Sequence, residues 1–340
     1  MWLRKNSDAS RPEKIFMLKY EPNSIAPERY RTKYSWPGGK KFAFTIFDDP
    51  DYQTIARGKA AYDLLGDLGI FTTKGIWPGN PAGDPSEWRW TCLDPEYLQW
   101  MLQLQAKGFE LGWHGAGPRT SCRRETLAGL EKFRELFGNY PLTGSQHFDC
   151  NENMYWGDER LTGGLNRGIY NLLTRWTHHN RYSGHVKSSD LWWSDLCRQH
   201  MKYVRSFAFR SLNTLAECPF MPYHDPLRPD VNYWYGSSEG ANAGTFLQAV
   251  TDKALDQLEE EGGACIMYTH FAYGYIDDGR LNPQFRAVME RLSKRNGWFV
   301  PVGTLLNFLQ QQKGPITITS EERRWLERRW LTHKIRFGSA

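Results

Sequence analysis

Lys41-Phe-Ala-Phe-Thr-Ile-Phe-Asp-Asp-Pro-Asp51 is the stretch around which the chain is organised. Phe42, Phe44 and Ile46 alternate with Ala43, Thr45 and Phe47. Because both sets are largely apolar, the run reads as a strand buried on both faces, as in a parallel sheet or barrel. Pro50 has no N–H for a ladder and biases Asp49 towards extended backbone, so the strand ends where Asp48, Asp49 and Asp51 begin. Burying charges this close together is costly unless a bound cation compensates them or one carboxylate serves as a base. A solvated acidic turn avoids the cost altogether. The apolar strand in front places these acids at the C-terminal mouth of a core strand, where α/β folds build their sites.

Working outward, Ile55, Tyr62, Leu64, Leu65 and Leu68 have helical spacing, and Gly69 is the expected stop. Ile70 to Trp77 reads as a second strand. Asp94-Pro95 starts a helix that ends at Gly108, and Phe109 to Trp113 is a third strand ending at His114. Ser121 or Thr120 is expected to cap a helix over 123–137, closed by Gly138, and Leu142 to Phe148 is a fourth strand. This βαβα succession implies a parallel sheet wound right-handedly or closed on itself. Between Asp149 and Gly244 only short candidates remain, notably Tyr203 to Phe209 and Val231 to Tyr235, within aromatic, Pro-rich and Asn-rich sequence. Long loops of that kind are usually functional elaborations over a site. Regularity returns with a helix over about 243–261, a strand over 264–269, a helix from Pro283 to about Lys294, a short strand over 298–300, a helix over 303–312 and a charged helix from Ser320 to about Trp330. The resulting division is an irregular arm over 1–40, a barrel over 41–312 with an insertion over about 150–243, and a helical appendage over 313–340.

The chain has 340 residues and a net charge of +5, with basic residues only in short pairs such as Arg123-Arg124 and Arg323-Arg324, which is no nucleic-acid footprint. Fifteen Trp and 15% aromatic content leave two readings open: aromatic faces that stack on sugar rings, or a heavily aromatic core. Six cysteines without a Cys-x-x-Cys pair argue against a zinc ribbon and fit reduced thiols. Neither a signal-peptide core nor an apolar run long enough to cross a membrane is present, so a cytoplasmic protein is the expectation.

Asp48 and Asp49 end the first strand, His114 the third, His147 the fourth and His270 the late one, in Cys265-Ile-Met-Tyr-Thr-His270. Parallel barrel strands deliver their C-terminal ends to one face, so these groups should converge. Their order resembles the polysaccharide deacetylase (NodB-homology) family: Thr45-Ile-Phe-Asp-Asp-Pro, a His-bearing strand end before a capped helix, then a late Tyr-Thr-His, over roughly Lys41 to Leu309. The resemblance implies an incomplete or distorted (β/α) barrel and a divalent metal, zinc first, with cobalt, nickel or manganese as alternatives. Carried over residue by residue, it implies Asp48 as general base, Asp49 and His114 as metal ligands and His270 as general acid.

Two features depart from that pattern. Pro118 stands four residues after His114, where the family has a second histidine, and the Arg-Pro motif is missing. From a neighbouring strand, His147 is expected to supply the third ligand, and Asp51 is a second candidate. Trp113, Asp51, Trp192, Trp193 and Trp234 are the expected substrate contacts, and His185, Asp190, Asp195 and His224-Asp225 are further candidates to line a sugar cleft. The function expected is metal-dependent removal of an N-acetyl or similar acyl group from an amino sugar of a polysaccharide or its precursor. The alternatives are an inactive saccharide-binding or assembly barrel, motivated by the two departures, and a hydrolase of a small non-sugar amide.

Overall fold

A computed structural model describes residues 33–79 and 90–338 of the chain. Most of the expected N-terminal arm, 1–32, lies outside the described residues. The organising strand β1 (Phe42–Asp48) is buried along its whole length, as two apolar faces require. Around it stand β2 (Thr73–Ile76), β3 (Glu110–Trp113), β4 (Thr143–Gly144), β5 (Tyr203–Phe209), β6 (Tyr233–Glu239) and β7 (Ala264–Thr269). Each is hydrogen-bonded in parallel to the next, and β7 returns to β1 in register from Ala43↔Ala264 to Asp48↔Thr269. Seven parallel strands therefore close into one barrel, one fewer than in the eight-stranded form. The incomplete (β/α) barrel expected from the sequence is the observed fold.

The helices are α1 (Ile55–Asp67), α2 (Pro95–Ala106), α3 (Arg123–Phe137), α4 (Gly164–Leu173), α5 (Ser194–His200), α6 (Thr214–Glu217), α7 (Ala243–Ala249), α8 (Asp252–Glu261), α9 (Pro283–Ser293), α10 (Val302–Lys313) and α11 (Ser320–Phe337). Gly138 and Gly262 end α3 and α8 in the left-handed conformation that glycine adopts without strain.

Several boundaries differ from the sequence reading, each for a local reason. The cap of α3 is Cys122, whose N–H donates to Glu125 in a capping box; Ser121 and Thr120 bond elsewhere, to Arg119 O and from Asn151 N–H. Thr251 caps α8 through the Ala254 N–H and so splits the expected helix over 243–261 in two. The fourth strand is only Thr143–Gly144. Beyond it the Ser145 N–H still bonds Trp113 O (2.9 Å), and the chain then leaves the ladder where the side chains of Gln146 and His147 meet the Met154 N–H and Asp51.

The charged C-terminal helix α11 runs to Phe337 and packs on α4 and β5. A buried polar network clamps it: Glu327 accepts from the N–H and hydroxyl of Thr162, while Asp225 binds both Arg323 and Arg228. Glu327 and Asp225 are fully buried, so losing a partner from this network would strand a charge at a cost of several kcal/mol. All six cysteines are free and all but Cys122 are buried. Among the described residues, no helix is long and apolar enough to cross a membrane.

Candidate active site

Side-chain alternation along β1 decides which acids reach the barrel mouth. Phe47 points into the barrel, against Gly75 and Gly112 of the neighbouring strands, so Asp48 points outward to the helix layer and Asp49 inward. Asp48 is fully buried there. It accepts from Tyr62 of α1 (2.9 Å), from Gln53 (2.9 Å) and from the Phe271 N–H (2.8 Å), and Lys74 of β2 stands 3.4 Å away. Burial lowers the Lys74 pKa, although Asp48 acts to raise it. The expected general base is thus a tie between two strand ends and a helix, and it does not line the cavity at the barrel mouth.

Asp49 faces the interior. Arg205, in the middle of β5, binds it with both nitrogens (3.2 and 2.5 Å), and Ser145 donates to its Oδ1 (2.9 Å). Burial pushes the Asp49 carboxyl up, but Arg205, His114 and His270 together bring it below the ordinary carboxylate value. Pro50 and a left-handed Tyr52 (φ 56°) then curl the chain, with the Gln53 N–H bonding back to Pro50 O (3.0 Å), and this turn carries Asp51 over the mouth.

His114, His147 and Asp51 meet at that point. His114 Nε2 lies 3.2 Å from Asp51 Oδ2 and 3.3 Å from His147 Nδ1, and His147 Nδ1 lies 2.9 Å from Asp51 Oδ1. Zinc bonded at about 2.0 to 2.1 Å in a tetrahedron separates its ligand atoms by about 3.3 Å, so these three donors already stand at ligand spacing. Hydrogen bonding supports the same reading. Ser145 gives its one proton to Asp49, so His114 Nδ1–H must donate to Ser145 Oγ (2.6 Å), leaving Nε2 as a bare lone pair facing a carboxylate. Burial lowers the His114 pKa, which keeps Nε2 unprotonated near neutrality. A cation between these donors suits that charge arrangement, and the residues present fit a divalent ion.

His147 therefore converges with His114 as the sequence suggested, but the carboxylate that meets both is Asp51. Asp49, expected as a ligand, is held instead by Arg205 and Ser145, although with Asp51 and His270 it forms a second donor cluster. His270 sits on the opposite side of Asp51. Its Nδ1–H donates to Ala241 O (2.8 Å), and Nε2 stands 3.4 Å from Asp51 Oδ2. Burial opposes its protonation, but Asp51, Asp49 and the Ala241 carbonyl outweigh burial and raise its pKa.

These groups open on a cavity of about 190 Å3 that is also lined by Phe148, Trp156, Arg160, Tyr170, Tyr268 and Lys334. None of the expected tryptophans is there. Trp113 and Trp234 occupy outward positions on β3 and β6, one residue out of phase with inward His114 and Tyr235, and both are buried beneath helices and loops. Trp193 is buried with its Nε1–H on Glu152 O (2.6 Å), and Trp192 lies under the Arg123 guanidinium (4.2 Å). Asp195 pairs with Arg123, Asp225 with Arg228 and Arg323, and His185 stacks on Tyr155, none of them lining this cavity. Arg205, Arg160 and Lys334 were missed. Arg205 had a signal, since a charge inside the apolar run Tyr203–Phe209 demands a buried partner.

No family model matches the chain, and no curated protein matches it. In fold it is similar to a provisionally named polysaccharide deacetylase from Mycobacterium smegmatis, at 13% identity and a TM-score of 0.49 over 85% of this chain and 97% of that one. A second provisionally named polysaccharide deacetylase, from Pseudomonas aeruginosa, gives 13% identity and a TM-score of 0.47 over 82% and 94%. Puue allantoinase gives 14% and 0.45 over 85% and 95%. At these identities the likeness concerns the fold alone, and the chemistry has to be argued from the residues themselves.

Proposed function

We propose that this chain is a metal-dependent hydrolase that removes an N-acyl group from an amino sugar. The observation that carries the reading is the meeting of Asp51, His114 and His147 at 2.9 to 3.3 Å beside an arginine-held Asp49 and a carboxylate-held His270. Asp51, His114 and His147 would hold a divalent ion. When bound, a divalent ion at such a site polarises an acyl carbonyl and acidifies a water. Asp49, ionised through Arg205, is positioned to accept the proton of the attacking water, and His270, with its raised pKa, to give a proton to the departing amine. The base thus moves from Asp48 to Asp49, and the ligand from Asp49 to Asp51. With Asp51 and His147 supplying ligands, the missing second histidine no longer favours an inactive barrel. Aromatic faces of Trp156, Tyr170 and Phe148 suit a sugar ring better than a small amide.

The test is metal analysis of the purified protein followed by deacetylation of N-acetylated saccharides with zinc, cobalt, nickel or manganese. One equivalent of ion and turnover of at least one saccharide are expected. A folded, metal-loaded protein inert over a broad saccharide panel would refute the reading, and turnover confined to non-sugar amides would leave the hydrolysis and remove the sugar.

A further inference from the structure

The three donors at the barrel mouth are held in different ways. His114 directly follows β3; its N–H bonds Ile76 O (3.2 Å) and its Nδ1–H donates to Ser145 Oγ (2.6 Å). Asp51 sits in the turn that the Gln53 N–H closes on Pro50 O (3.0 Å). His147 lies three residues past the end of β4, beyond the Ser145 N–H that still bonds Trp113 O (2.9 Å). Strand direction therefore does not fix His147, and its place depends on what holds the chain after the strand. The hold is on its carbonyl. His147 O accepts from the Cys150 N–H (3.1 Å), which closes a turn, and from the side-chain amide of Asn153 (Nδ2, 2.6 Å). Only the NH2 end of that amide can meet a carbonyl oxygen, so its orientation is set.

Asn153 is itself firmly seated. It is 4% exposed; its N–H bonds Cys150 O (3.3 Å), its own carbonyl accepts from the Gly184 N–H (3.2 Å), and the next N–H, of Met154, donates to Gln146 Oε1. Behind it the layers of the insertion are in close contact. A Cβ on Gly184 would stand 1.8 Å from Glu152 O, the oxygen that also accepts from Trp193 Nε1–H (2.6 Å), so only glycine lets the backbones approach this far. The amide that reaches His147 thus projects from a packed base and not from a free loop. We propose that Asn153 is a positioning residue for His147: its side-chain amide holds the His147 carbonyl where the β4 ladder no longer does, and so sets Nδ1 of His147 at ligand spacing from Asp51 and His114. This rests on reading those three residues as an ion site and adds to it the residue that keeps the site assembled. The long insertion then contributes to the ion site as well as to the cavity lining. A hydrogen bond that only stabilises the fold is the competing account.

The experiment measures zinc affinity, by competition with a chelator, in the full chain and in Asn153→Asp, Asn153→Ala and Asn153→Ser. Thr251→Ala, which removes the cap of α8, is the control that destabilises the fold elsewhere. Removing a group that orients a metal ligand costs about 10- to 100-fold in affinity, and this is the loss expected for Asn153→Asp and Asn153→Ala. Asn153→Ser keeps a shorter donor and should lose less; Thr251→Ala should lose none. Imidazole nitrogen NMR spectra of the metal-free proteins give a readout that needs no ion: the His147 signals should move in the Asn153 variants and stay in Thr251→Ala. If the wild type takes up no zinc but those signals move, the positioning role stands and the ion site falls. Unmoved His147 signals, or zinc affinity equal to that of the wild type in the Asn153 variants, would overturn the positioning role and leave the ion site intact. An equal loss in Thr251→Ala would overturn it too, since the effect would then be one of general stability.

Discussion

The two ends of the cavity are built from different kinds of sequence. At the mouth, Asp49, Asp51, His114, His147 and His270 all lie within four residues after a barrel strand, where strand direction and side-chain parity place them. The rest of the lining includes Trp156 and Arg160 in the long insertion and Lys334 on the last helix, which come together because α11 packs against α4 and β5. The candidate metal and proton-transfer groups thus lie in the repeating part of the fold, and the rest of the lining comes from the part that does not repeat. This division makes the two ends separable by mutation.

The largest expected effect is at the three-donor cluster. Asp51→Ala should remove the bound ion and lower kcat/KM by 1,000-fold or more (roughly 4 kcal/mol) with the barrel still folded, read by metal analysis, kinetics and circular dichroism together. Full metal content in this variant would return the ligand role to Asp49.

Next in size is the contrast between the paired acids of β1. Asp49→Asn should retain the ion and lose about 100- to 10,000-fold in kcat, the range of a general base. Asp48→Asn should act on the fold instead, destabilising it by about 3 to 5 kcal/mol by leaving Lys74 buried without its carboxylate. Thermal unfolding and kinetics on both variants check this pair. A stable but inactive Asp48→Asn would break the parity argument.

Among the aromatics the expected effect is smaller. Trp156→Ala should raise KM about tenfold with little change in kcat, whereas Trp113→Ala should destabilise the fold by about 3 to 5 kcal/mol through core packing, as a buried ring would. The effect confined to one pH range concerns Glu152, beside the small pocket behind His114 and His147. Burial raises its carboxyl from the ordinary 4.5 to about 7. The folded state then holds a proton that the unfolded chain releases, so this group's contribution to stability is complete below about pH 4.5 and is lost as the pH rises through about 7. Glu152→Gln should flatten that slope and exceed the wild type above pH 7 by about 2 to 3 kcal/mol, measured by denaturant unfolding across pH 4 to 8.

How much was legible follows from the range of the forces involved. The largely apolar run over 42–47, the Asp94-Pro95 start, the Gly138 stop and the intervals between strands are local signals; they sufficed for a parallel sheet, open or closed, and for five residues at its strand ends, and the family resemblance implied the barrel. Parity is also local, but its phase is not. Whether Asp48 or Asp49 turns inward depends on which face of β1 the barrel encloses, and in a strand apolar on both faces no alternation reveals it. The same ambiguity put Trp113 and Trp234 in the cleft when they belong to the outer layer.

The sequence by itself determined a parallel α/β sheet with acids and histidines gathered at the ends of its strands, because periodicity, turn chemistry and strand direction act within a few residues. Only the tertiary structure decided which carboxylate meets His114 and His147, which is held by Arg205, and that Arg160 and Lys334 share a wall. The first two choices rest on contacts between residues 63 to 156 positions apart, where chain closure and packing, not local preference, set what can touch.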